Sequence, residues 1–71
     1  MEPVYISIQE VVPYMAKTMG IQRTRQTVYN WAVKGVERGL GRVVMLRTIK
    51  QAGRLSTTRE WVREFVDEVS V

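Results

Sequence analysis

The stretch RTRQTVYNWAVKG, Arg23 to Gly35, constrains this chain more than any other. Thr24 is a hydroxyl residue able to cap a helix, and Gly35 is suited to leaving one. Between them Val28, Trp31 and Ala32 fall at i, i+3 and i+4, the spacing of one apolar helical face. The spacing predicts a helix over Arg25 to Lys34. At about 100° per residue, Gln26, Asn30 and Val33 point the opposite way, flanked by Tyr29 and Lys34. A polar outer face of Gln and Asn framed by Arg and Lys suits base edges and phosphates, which is the pattern of a DNA-recognition helix.

The rest of the chain must fold around that segment with little material. At 71 residues it is read as a single domain, residues 1–71, because chains of this size rarely hold more than one core. Cysteine and histidine are both absent. That removes disulfide staples, thiolate and imidazole metal sites, and the commonest nucleophile–base pairs. Glu60, Glu64 and Glu68 form a carboxylate row that reads as a solvated helix face. The glycines at 35, 39 and 41 lack the Lys-Ser/Thr that follows a phosphate-binding loop. The sequence therefore points away from an enzyme and implies no catalytic residue, metal, cofactor or small-molecule ligand. No apolar run approaches the ~20 residues of a membrane span, and Met1–Tyr14 lacks the basic start of a secretory signal. The expectation is a soluble, cytoplasmic protein associated with DNA.

Net charge is +4, but its distribution says more. Residues 17–54 carry nine Lys or Arg against Glu37 alone, whereas the segments on either side are net acidic. A basic middle between acidic ends suits a polyanion.

Taken in order, Met1–Ile6 is β-prone and reads as an extended lead-in or brief strand. Ser7 and Glu10 match a capping box, so a first helix starts at Ile8 and its apolar stripe runs through Val11, Val12, Met15 and Met19. Pro13 interrupts it, and the in-phase stripe favours one kinked helix to about Lys17. Gly20 marks the turn before the second helix. Gly39 and Gly41 mark a loop around Arg38 and Arg42. Val43–Ile49 and Arg54–Thr57 read as two strands joined by the four-residue loop Lys50–Gly53. Thr57 and Glu60 form a second capping box, starting a last helix at Thr58 with Trp61, Val62, Phe65, Val66 and Val69 on its apolar side. Trp31 and Trp61 both read as core, and Arg63 can pair with Asp67 one turn on. The expected fold is mainly α with a small β-hairpin: a winged helix-turn-helix with a two-stranded wing and a C-terminal helix.

The segments YISIQEV and QTVYNWAVKG resemble the corresponding segments of phage excisionases and the wider MerR-like winged-helix family. GRLSTTREWVREFV is similar to that family's wing, capping residue and aromatic-rich helix, so the resemblance covers about residues 5–66. It departs from the compact members in a longer segment between Val12 and Thr24 and in the extra length at Gly39–Gly41. The resemblance implies DNA bending and assembly beside an integrase or other recombinase, steering site-specific recombination towards excision. Related proteins act as transcriptional regulators of phage or mobile-element genes. By position it puts Gln26 and Asn30 in the base-reading slots, Arg25 beside them, and Lys50 or Arg54 on the minor-groove side of the wing.

The residues themselves suggest the same division. Gln26 and Asn30, with Tyr29, are candidate base readers, although the Tyr29 hydroxyl suits a phosphate equally and its ring could instead cover the core edge. Arg23, Arg25, Thr27 and Lys34 are candidate phosphate contacts, Thr27 having the alternative of back-bonding within its helix. Arg47, Lys50 and Arg54 are candidate wing residues. The expected partner is double-stranded DNA, with self-association on repeated or palindromic sites, since one small module contacts few base pairs. The competing class is a protein-interaction or DNA-packaging adaptor that uses the acidic last helix.

Overall fold

The computed structural model describes residues 4–69; Glu2 and the first residues of the extended lead-in lie outside them. The elements run β1 (Tyr5–Ser7), α1 (Ile8–Thr18), α2 (Arg25–Val33), β2 (Val36–Glu37), β3 (Val43–Val44), β4 (Ile49–Gln51), β5 (Arg54–Thr58) and α3 (Arg59–Val69). The result is a small mixed α/β arrangement. Three helices pack with an antiparallel sheet of order β1-β5-β4, and β2 and β3 form a separate hairpin. Among the described residues no helix is long and apolar enough to cross a membrane.

The first two helices begin where hydroxyl caps demand. The Ser7 hydroxyl accepts the Glu10 N–H at 3.3 Å, and the Thr24 hydroxyl accepts the Thr27 N–H at 3.2 Å. α1 runs through Pro13 to Thr18 as one element, with the proline on its exposed side. Ile8, Val11 and Met15 are buried on both sides of the proline, so packing holds the two turns in phase despite the lost backbone bond.

α2 ends as its glycine requires. Gly35 donates its N–H to the Asn30 carbonyl at 2.9 Å and takes a φ of +78°. A Cβ there would lie 2.6 Å from Val43 Cγ1 and 2.8 Å from the Val44 carbonyl oxygen. Gly35→Ala combines left-handed strain with overpacking against backbone, and should cost roughly 2–4 kcal/mol of stability by urea unfolding.

The region after α2 differs from the expected single strand Val43–Ile49. Val43 and Val44 pair with Glu37 and Val36, while Ile49–Gln51 pairs with β5. One straight strand cannot serve both partners. Leu46, between them, turns into the core and donates its N–H to the Trp31 carbonyl at 3.0 Å. Val36–Glu37 is only two residues long, too short for strand alternation to show in the sequence.

The second hairpin is also tighter than expected. Its loop is the two-residue turn Ala52-Gly53, with φ of 49° and 78°, and Gln51 sits opposite Arg54. Positive φ at both central residues suits the right-handed strand twist, so Lys50 and Gln51 belong to β4 rather than to a four-residue loop. β1 adds a third strand on the far edge of β5, pairing Ile6 with Thr57.

The start of α3 shifts by one residue from the expected Thr57–Glu60 box. Thr57 is wholly buried and its hydroxyl donates to the Arg47 carbonyl at 2.8 Å. Thr58 is therefore the cap, accepting the Trp61 N–H at 3.1 Å. Val62, Phe65 and Val69 are buried, but Trp61 is only half-buried, with the Tyr5 ring at 6.1 Å and the Arg47 guanidinium at 5.6 Å. Trp31, by contrast, belongs to the buried core, and its ring lies 5.0 Å from that of Phe65, joining α2 to α3. The ion pair found among the described residues is Arg42–Glu68 at 3.8 Å, not Arg63–Asp67.

Candidate nucleic-acid interface

Three parts of the fold meet around one open groove. α2 contributes Thr24, Arg25, Gln26, Tyr29 and Val33; the β4–β5 hairpin contributes Lys50, Gly53, Arg54 and Leu55; the start of α1 contributes Ser7, Ile8 and Gln9. Burial of Val28, Trp31 and Ala32 turns the opposite side of α2 outward, which is why Gln26, Tyr29 and Val33 share the groove wall.

The groove is electropositive by two independent routes. Arg25, Lys50 and Arg54 line it and no carboxylate does. The N-terminal ends of both α1 and α2 also open onto it, with Ser7 to Gln9 and Thr24 to Gln26 in its wall. Unpaired N–H groups and the positive end of the α2 dipole add to the side-chain charge there, whereas at α1 the Glu10 carboxylate, 3.5 Å from the Ser7 hydroxyl, offsets the end of its own helix.

Of the ten residues singled out from the sequence, the groove gathers Arg25, Gln26, Tyr29, Lys50 and Arg54. Asn30 stands beside this wall, half-buried, and its Oδ1 accepts a hydrogen bond from Gln26 Nε2 at 3.1 Å. Arg23 bonds the Gln22 carbonyl through Nη1 at 2.8 Å. The Thr27 hydroxyl lies 3.0 Å from that of Thr24, at the cap of its own helix. Lys34 is exposed at the other end of α2, as its C-cap. Arg47 is not on the β4–β5 hairpin: it precedes β4 and stacks over Trp61.

The basic middle of the sequence is thus divided by folding. Arg38 donates to the Val69 carbonyl at 3.1 Å and Arg42 pairs with Glu68, so the β2–β3 hairpin places two cations at the C-terminal end of α3. There they meet the negative end of a helix dipole and unpaired carbonyls. Arg25, Lys50 and Arg54 are the cations that share the groove.

Sequence reasoning missed Ser7, Gln9, Thr24 and Val33 as groove residues. The Ser7–Glu10 capping box and the Thr24 hydroxyl marked the starts of α1 and α2, but the convergence of those two ends depends on how α1 packs on α2. Chemically the groove can hold a polyanionic strand along Arg25, Lys50 and Arg54 and present an amide, a phenol and an apolar side chain beside it. No group of three His, Cys, Asp or Glu residues gathers in metal-binding fashion among the described residues. Comparison with known protein families, with curated proteins and with solved structures found no match to this chain.

Proposed function

We propose that this chain is a sequence-specific double-stranded DNA-binding protein of the winged helix-turn-helix kind. α2 enters the major groove, the β4–β5 hairpin reaches the adjacent minor groove, and the sugar–phosphate strand between them runs through the channel that separates the two. The observation that carries this reading is the groove itself: two walls bearing Arg25, Lys50 and Arg54, two helix N-termini and no carboxylate. The exposed Gln26 on one wall supplies a side chain able to grip adenine through N6 and N7.

Within that reading, the likeness of YISIQEV, QTVYNWAVKG and GRLSTTREWVREFV to phage excisionases supports a narrower role. The protein bends DNA next to an integrase or related recombinase and promotes excision of a phage or mobile element. A transcriptional regulator of the same build is the alternative, and the two differ in their target sites rather than in their chemistry.

Selection from a random duplex library at low salt tests the reading. Enrichment of a defined site, with retarded mobility when that site lies at the middle of a fragment, is the expected result for a binder that bends DNA. Failure to retain any duplex at low salt would remove the proposal. Recombination assays on the selected site, with and without the protein, then separate the excision role from regulation alone.

A further inference from the structure

Val33 is out of place on α2. The buried face of this helix is complete with Val28, Trp31 and Ala32, yet Val33 leaves 47% of its surface exposed on the opposite side. It lines the groove with Gln26 and Tyr29. It stands seven positions beyond Gln26, about two helical turns, so the two side chains project along nearly one line about 10 Å apart. That separation is close to three base-pair steps of B-DNA at ~3.4 Å each. An exposed branched aliphatic group in a major groove has one apolar feature to meet, the 5-methyl group of thymine.

The second observation is the bond from Gln26 Nε2 to Asn30 Oδ1. A primary amide has two N–H donors and one carbonyl. A bidentate grip on adenine uses the carbonyl and the N–H on the same edge. The other N–H, on the far side, remains for Asn30. The observed bond is thus compatible with Gln26 reading adenine and holds its amide plane before DNA arrives. Asn30, half-buried and beside the groove wall, has its acceptor committed to this bond.

We infer that Gln26 and Val33 are the specificity-determining residues of this face, reading an adenine and a thymine methyl about three base pairs apart, and that Asn30 is a positioning residue acting through Gln26. This rests on the DNA-binding reading above and names the site that it recognises.

The test starts from the site selected by the unaltered protein. Each thymine in that site is replaced in turn by uracil, which removes the 5-methyl group alone. One replacement should weaken binding by the unaltered protein about fourfold, the worth of one buried methyl. The same replacement should have no effect on Val33→Ala. If Val33→Ala shows the same uracil sensitivity, or if no thymine is sensitive, the role of Val33 is overturned. Thermal melting of Val33→Ala should stay close to the parent, since the side chain is half exposed and lies outside the buried core cluster.

For Asn30, the Asn30→Ala variant should lose the preference for adenine at one position about tenfold, and lose nothing further when Gln26→Ala is already present. Asn30→Asp keeps the acceptor oxygen, so it should retain that preference while binding every sequence more weakly through phosphate repulsion. A change of preferred base in Asn30→Asp would mean that Asn30 itself touches a base, and would overturn its positioning role. Selection that enriches a site without an adenine and a thymine at this spacing overturns this inference and leaves DNA binding intact. Selection that enriches nothing overturns both.

Discussion

Trp31→Ala should remove about half of the protein's stability. Trp31 is 6% exposed, lies 5.0 Å from Phe65 across the α2–α3 contact, and belongs to the helix turn whose carbonyl accepts the Leu46 N–H. Removing a buried tryptophan of this kind costs about 3–5 kcal/mol through lost burial and the cavity left behind. A domain of this length has a total stability of only about 4–10 kcal/mol. Urea unfolding followed by far-ultraviolet circular dichroism measures the loss. Trp31→Phe retains a ring against Phe65 and should cost less than half as much. A Trp31→Ala variant within 1 kcal/mol of the parent (an order-of-magnitude threshold, about the cost of an ordinary surface or minor core change) would mean that α2 is not held by this contact. Trp61→Ala, half-exposed between Tyr5 and Arg47, should be the milder of the two tryptophan substitutions.

The second large effect concerns binding. Simultaneous Arg25→Ala, Lys50→Ala and Arg54→Ala should weaken duplex binding by a few hundred-fold at about 0.1 M salt, and should lower the slope of log affinity against log salt by about 2.7. The reason is counterion release: each cation that neutralises a phosphate contributes about 0.9 to that slope. These three share one groove without a carboxylate in its wall. The control lies elsewhere on the same chain. Arg38 bonds the Val69 carbonyl and Arg42 pairs with Glu68, so Arg38→Ala with Arg42→Ala should leave the salt slope nearly unchanged. An equal loss from both sets would show that binding follows net charge rather than the groove. All of these arginines and Lys50 are exposed, so melting temperatures should report whether the triple variant keeps its fold.

Much of the local structure was legible because its causes are local. Ser7 and Thr24 were readable as caps since a hydroxyl three residues ahead of an N–H needs no tertiary partner. The buried sides of α1 and α2 followed from apolar spacing alone, and Val11, Met15, Val28 and Trp31 are buried accordingly. The strands were less legible. Val36–Glu37 and Val43–Val44 are two residues each, too short to show alternation, and exist because they find one another across the Arg38–Arg42 loop. The capping hydroxyl of α3 was misplaced by one because two threonines stand in sequence, and only the burial of Thr57 against the Arg47 carbonyl leaves Thr58 for the cap.

The candidate site divides in the same way. Gln26 and Tyr29 could be read as outward-facing from helical periodicity, and Lys50 and Arg54 as flanking a turn. Their meeting with Arg25, and with the start of α1, depended on the packing of α1 and β5 about a common core. Charge behaved least predictably. A block of nine cations looked continuous along the chain, yet Arg38, Arg42 and Arg47 were drawn to the end of α3 and to Trp61. By itself the sequence determined where α1 and α2 start and which helix faces are apolar, because those depend on neighbours within one or two turns. Only the tertiary structure decided which strands pair, which threonine caps α3, and which cations share a groove, because each of those is a choice among partners far apart in the chain, settled by what the core can bury.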